Sequence, residues 1–221
     1  MALVRALERA ADRPLMFNTP DSPEAEGFLQ AAGYSPVVTS TSCRVAIDAA
    51  LSQLNDSNVE IAPGVTIEAF DTITATAADL YEDIYRARHR WAGRYTPPEH
   101  EPWIGFAGPL IPMSEALQVA LTRGTPIAAA SLHTGPLADG ADAFLAPTSV
   151  TTGDLKSRKA ILSQLLRRLL TVALKSDLKT VNVEYDTPYD DLAAIIDPWP
   201  TTNHRVRQIW QRRAARPDRE N

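Results

Sequence analysis

Three cations crowd one short stretch of this chain, Lys156-Ser157-Arg158-Lys159, at the point where a helix is due to begin. Ile161, Leu162, Leu165, Leu166, Leu169 and Leu170 follow at three- and four-residue spacing, the period of an amphipathic helix. The first turn of a helix exposes unsatisfied N–H groups and a partial positive charge, so added cations are unfavourable there unless an anion sits between them. A bound phosphate would meet that need. The same residues also suit an exposed loop on which Lys156, Arg158 and Lys159 are simply solvated.

Other residues carry weaker chemistry. Cys43 is the only cysteine, which excludes an intrachain disulfide and a thiolate metal cluster. It remains a formal nucleophile, although a lone cysteine in a Thr- and Ser-rich strand is more often a small buried residue. His89, His100, His133 and His204 are widely separated, so no metal site is expected. His133 closes a predicted strand and is a candidate base; His89 lies in a basic helix end that suits the helix dipole. Asp79, Glu82 and Asp83 could attract a cationic amine or pair with Arg86 and Arg90 at helical spacing. Trp91, Tyr95, Trp103 and Phe106 either wall a pocket or pin a long loop.

The basic turn needs a scaffold. Phe144, Leu145 and Val150 read as a strand ending in Thr151-Thr152-Gly153 before the turn, and Thr180 to Tyr185 reads as a parallel strand after the helix. Upstream, Asn55 to Asn58 and Pro63-Gly64 punctuate a linker, and Val65 to Phe70 alternates as a strand. Thr76 to Trp91 reads as a helix with Leu80, Ile84 and Ala87 on its apolar face, and Arg94 to Pro112 as a Pro- and Gly-rich loop. Ser114 is placed as the cap of a second helix from Glu115 to about Thr122, closed by Gly124. Ile127 to Leu132 and Asp142 to Val150 form a hairpin around Thr134 to Gly140. There is also an internal echo. Leu15 to Pro20, Glu24 to Ala32 and Val37 to Ile47 read as strand, helix and strand, as do Val183 to Pro188, Asp191 to Asp197 and His204 to Trp210. Alone, these readings give an α+β protein with a mixed sheet.

The order of strand, basic turn and helix resembles the GNAT superfamily of acyl-CoA-dependent N-acyltransferases. Their turn, of the type R/Q-x-x-G-x-G/A, binds the pyrophosphate of acetyl-CoA through its amides. The matching segment here runs from Thr151 to Ile161 and is most similar to a variant in tandem members that reads roughly H-R-G-H-R-L-G. Lys156 stands for the first Arg, Ser157 for the small residue after it, and Arg158-Lys159 for the basic pair; neither turn glycine is kept. The resemblance covers about Val65 to Trp210, and the first part of the chain is similar to the family's last third. It implies a GNAT-like mixed central sheet flanked by helices, in a tandem protein with a truncated first copy. On that basis residues 1–54 are a partial repeat, 59–214 an acyltransferase domain and 215–221 a basic tail.

The resemblance also assigns roles. Acetyl-CoA, or another acyl-CoA, would be the cofactor and a small-molecule amine the acceptor, with a place in secondary metabolism or resistance. Backbone amides of Thr148, Ser149, Val150 and Thr151 would hold the pantetheine arm. Lys156, Ser157, Arg158, Lys159 and Ala160 would surround the pyrophosphate. Transfer to an amine needs a base and an acid; Tyr189, with Tyr185 as alternate, stands nearest the family's acid, and Glu184 is the base candidate unless it faces solvent. Two other readings stay open: a degenerate GNAT fold serving as a structural or regulatory partner, and a fold reused for other chemistry on a small metabolite.

Composition narrows the classes. The chain has 221 residues, 44% of them apolar, enough to bury a full core. No apolar run approaches the ~20 residues that cross a bilayer. The N-terminus, Met1 to Ala10, is amphipathic and charged rather than secretory, so a cytoplasmic protein without a membrane partner is expected. A net charge of −5 and a pI near 5.4 give no bias toward nucleic acid. Arg205, Arg207, Arg212, Arg213, Arg216 and Arg219 form a local exception, read as a strand edge and a solvated terminus. Homodimerisation is left open.

Overall fold

The computed structural model describes residues 15–20, 22–56, 60, 63–70, 79–80, 83–84, 111–135, 137, 139–146, 148–151, 153–188 and 191–212. Nine strands share one mixed sheet: β1 (Met16–Pro20), β2 (Tyr34–Ala46), β3 (Val65–Phe70), β4 (Ile111–Thr122), β5 (Thr125–Thr134), β6 (Ala143–Leu145), β7 (Ser149–Val150), β8 (Thr180–Thr187) and β9 (Thr201–Arg212). Four helices have described bounds, α1 (Pro23–Ala31), α2 (Ile47–Asp56), α3 (Leu155–Lys175) and α4 (Ala193–Ile196), and Asp79, Leu80, Asp83 and Ile84 are helical as well. The strand order is β1-β9-β2-β8-β6-β5-β4-β3, with β7 on β5 beside β6. Among the described residues only β6 and β8 pair in parallel, across the α3 crossover.

One face of the sheet is covered by α3. Its Leu162, Leu165, Leu166, Leu169 and Leu170 are buried with Ala130 and Leu132 of β5, Val150 of β7 and Val181, Val183 and Tyr185 of β8. The α2 helix joins this layer through Ile47, Ala50, Leu51 and Leu54, and α1 packs at the far end, where Leu29, Ala32, Tyr34 and Trp210 cluster. On the opposite face, Leu80 and Ile84 pack on Leu117, Val119, Leu121 and Ala129. Those two residues bear on the predicted helix from Thr76 to Trp91, most of which lies outside the described residues, as do the chain's first ten residues and the predicted loop from Arg94 to Pro112 except for Ile111 and Pro112, which open β4 instead.

Both halves of the internal echo fold as strand, helix and strand, and they interleave. β9 lies between β1 and β2, while β2 lies between β9 and β8. Strands from 1–54 and from 59–214 therefore complete a single sheet. Register fixes the faces: Thr41 lies opposite Tyr185 and Cys43 opposite Val183, facing α3, so Ser40 and Ser42 share the other face with Asp186 and Glu184.

Two expectations are corrected. Residues 115–122 are not a helix but the greater part of β4, paired with β3 and β5. Ala116, Leu117, Gln118, Val119, Ala120 and Leu121 are all buried, because helices cover both faces here, so the strand reads as a continuous apolar run instead of an alternation. Arg123 and Gly124, both at positive φ, form the tight turn into β5. The second correction is α2, which takes up Ile47, expected to end a strand, and Asn55 and Asp56, expected to open a linker; the residues between them carried no assignment. Its buried positions have helical spacing, and Ile47 N–H donates to the Lys179 carbonyl at 2.9 Å as the chain leaves β2.

Candidate active site

A gap opens in the middle of the sheet. β6 and β8 pair only at Ala143 with Val181 and Phe144 with Asn182. The closed end is clamped by Asp142, whose Oδ2 accepts the N–H groups of Lys179 and Thr180 at 2.8 and 2.9 Å and the Thr180 hydroxyl at 3.1 Å. Beyond Leu145 no described residue of this segment pairs with β8: Ala146 N–H donates to the Ser131 carbonyl at 3.0 Å, and the buried Thr148 hydroxyl donates to the Ala146 carbonyl at 2.8 Å. The chain then re-forms as β7 on β5 alone, while β8 runs on to Thr187 with β2 as its partner. The orientation of β7 follows from one bond, Thr151 N–H to the Ile127 carbonyl at 2.8 Å. Hydrogen-bonded pairs alternate along an antiparallel ladder, so Val150, next to Thr151, turns its N–H and C=O away from β5 and into the gap. Ser149 turns its side chain to the face opposite α3, level with Ala129.

The mouth of the gap is the start of α3, and there the chain supplies its own anions. Asp154 is the N-cap, and its Oδ1 accepts the Ser157 N–H at 2.8 Å. That hydrogen bond holds the carboxyl below its ordinary range. Arg158 is held by Asp191 through Nε at 2.7 Å and Nη2 at 3.3 Å, and its Nη1 donates to the Gly153 carbonyl at 2.9 Å. Gly153 sits at φ +96°, a conformation that favours glycine, and a Cβ there would lie 3.4 Å from the Ser157 Cβ. Helical bonding begins with Arg158 N–H to the Asp154 carbonyl at 2.9 Å. The amides of Lys159 and Ala160 therefore fall inside the helix, and those of Leu155 and Lys156 are left without an intrahelical acceptor. Lys156 is exposed and Lys159 half-buried. Asp154→Ala is expected to lower the melting temperature by about 2–4 °C through loss of the cap.

The proposed acid and base do not meet in the described residues. Tyr189 lies outside them. Glu184 is exposed on the sheet face away from α3, with the Ser40 hydroxyl 3.5 Å from its Oε1. Tyr185 points the other way, into the core; burial raises its pKa, and so does the bond its hydroxyl donates to Asp197 Oδ1 at 2.8 Å. On Glu184's side of the sheet lies His133, fully buried, its Nε2 3.0 Å from the Ser131 hydroxyl. Burial lowers this imidazole to about 4, so it is neutral at neutral pH. Cys43 is buried and its thiol is pushed up to about 11, which removes it as a nucleophile. His89, His100, Trp91, Tyr95, Trp103, Phe106 and Glu82 fall outside the described residues. Among the described residues no group of His, Cys, Asp and Glu could hold a metal ion, and no helix is long and apolar enough to cross a membrane.

Three residues were missed by sequence reasoning. Asp154 had a signal, since Asp directly before a helical period is a preferred N-cap. Asp191, 33 residues from Arg158, had none, because only the fold makes that pair. Asp186, buried on Glu184's face at the open end of β8, is visible only through the register.

No family model matches the chain, and no curated protein matches it in sequence. Solved structures do. A GCN5-related N-acetyltransferase from Sphaerobacter thermophilus is 12% identical with a TM-score of 0.53, over 97% of this chain and 66% of that one. One from Kribbella flavida is 16% identical with a TM-score of 0.50, over 97% and 74%. A tandem GNAT protein from the clavulanic acid biosynthesis pathway is 14% identical with a TM-score of 0.55, over 97% and 69%. At these identities the likeness is one of architecture, and it agrees with the mixed sheet and flanking helices described above: the chain has the fold of the GCN5-related N-acetyltransferases.

Proposed function

We propose that the protein is an acyl-CoA-dependent N-acyltransferase that most readily moves an acetyl group from acetyl-CoA to the amine of a small molecule. The observation that carries this reading is the gap between β7 and β8, where Val150 directs its backbone N–H and C=O away from β5, toward the side on which β8 no longer pairs with a described residue of β7. Such a slot suits an extended amide-containing arm, which bonds to strand edges as another strand would. Acetyl-CoA brings an activated thioester; transfer to an amine leaves an amide and the free CoA thiol. Val150 and its neighbours Thr148, Ser149 and Thr151 would orient the arm. Lys156, Lys159 and the amides of Leu155 and Lys156 would meet the diphosphate. Glu184 would take a proton from the acceptor ammonium, and Tyr189 is retained as the proposed acid for the leaving thiolate.

A second reading is favoured by one feature. The Asp154 carboxylate occupies the Ser157 N–H, and Asp191 occupies Arg158, so a diphosphate must compete with two resident anions. A GNAT fold without acyl transfer, acting as a structural or regulatory partner, would have no reason to keep that seat open. Calorimetric titration with acetyl-CoA decides between them. Submillimolar binding, weakened roughly three- to tenfold by Lys156→Ala with Lys159→Ala, is expected for the enzyme. Asp154→Ala should tighten the same binding even as it lowers the melting temperature. An absence of binding at millimolar acetyl-CoA would overturn the acyltransferase reading.

A further inference from the structure

The sheet face opposite α3 carries an arrangement of charge that the acyltransferase reading does not require. On β8, Glu184 and Asp186 lie two residues apart on this face; on β2, Ser42 stands opposite Glu184 and Ser40 opposite Asp186; on β9, Arg205 stands opposite Ser42 and Arg207 opposite Ser40. Two rows result, each reading carboxylate, serine, arginine. Adjacent strands lie about 4.8 Å apart, so each row sets a carboxylate and a guanidinium on backbones roughly 10 Å apart, with only a small side chain between them. Arg205 and Arg207 are exposed, and neither is ion-paired with a described residue. The acidic end lies on β8, the strand that borders the gap; the basic end lies away from it.

We propose that this face takes a small molecule bearing both an amine and a carboxylate, an amino acid or a close relative. Its ammonium group is drawn to the exposed Glu184 beside the gap, where the buried Asp186 two residues on adds negative charge, and its carboxylate to Arg205 and Arg207. The proposal rests on the acyltransferase reading only for the fate of the amine; recognition of the two charges stands apart from it. A simple amine would satisfy one end of the rows and leave the arginines unmet, so the rows favour the zwitterion over the amine.

Matched pairs test this: L-lysine against cadaverine, L-phenylalanine against phenethylamine and L-histidine against histamine, each titrated into the full chain by thermal shift and saturation-transfer NMR without acetyl-CoA. The expected result is that at least one amino acid binds about tenfold more tightly than its decarboxylated partner. Arg205→Gln with Arg207→Gln should erase that preference, at about fivefold per arginine or less, and leave the amine's affinity unchanged. Asp186→Asn should weaken both members of the pair. Equal binding within every pair, a preference that survives the double arginine variant, or no binding by any compound at millimolar concentration overturns the proposal. A separate titration with acetyl-CoA alone reports on the acyltransferase reading, so either can fail while the other stands.

Discussion

Leu165→Ala is expected to cost about 3 kcal/mol of folding stability, within the range of 2–5 kcal/mol for a buried leucine cut to alanine. Leu165 lies midway along α3 with no exposed surface, in the cluster that joins the helix to Val150 of β7 and Val183 of β8. Truncation removes buried methyl and methylene groups and leaves a cavity between helix and sheet, where close packing limits relaxation. Two comparisons isolate the cavity. Leu165→Met nearly conserves volume and should cost less than about 1.5 kcal/mol. Leu174→Ala, on the same helix but 42% exposed, should change stability by about 0.5 kcal/mol or less. Urea denaturation provides the readout, as a lower midpoint with an unchanged slope. A Leu165→Ala loss under about 1 kcal/mol would mean that α3 is not seated on the sheet, and with it the position of Asp154 and Lys156 at the gap would fall.

The same packing explains what could be read from residues alone. Val65 to Phe70 alternates and forms β3 with the expected ends. The leucine spacing of α3 survives because only one side of that helix meets the sheet. The strand after it, β8, is parallel to β6 as expected and buries Val181, Val183 and Tyr185 toward α3. Legibility fails where burial is two-sided or contacts are distant. β4 is buried on both faces, so its Ala, Leu and Val positions carry no period of two, and Ser114 then imitates a helix cap. The interleaving of β9 between β1 and β2 leaves no local mark, since each segment reads as a strand whatever its neighbour. At the site, the basic turn was legible as a demand for an anion, but its supply was not. Asp154 meets the demand from three residues before Ser157, and Asp191 meets it from the segment that follows β8. A phosphate at this turn is thus a competitor to be tested, and no longer the sole solution to the helix electrostatics.

Stability is expected to fall as pH drops from about 6.5 to about 4, with His133 responsible for roughly 3 kcal/mol of the change. In the unfolded chain the imidazole takes up a proton near its ordinary value of 6.5, whereas burial lowers it to about 4 in the native state. Between those values the unfolded state binds the proton and the folded state does not, so unfolding is favoured by acid. Above about 6.5 both states are neutral and the contribution is complete; below about 4 both are charged and it is gone. Other groups titrate over the same window, so the test is a difference: unfolding free energies of the wild type and of His133→Gln from pH 4 to 8. The variant keeps a polar group near Ser131 but cannot titrate, and its curve should be flatter by about the stated amount, with most of the divergence between pH 4 and 6.5. Parallel curves would show that the imidazole titrates alike in the folded and unfolded chain, and so is hydrated in the native protein. A hydrated His133 would then take up its proton near pH 6.5 instead of about 4, placing a positive charge on the sheet face it shares with Glu184 only under mildly acid conditions.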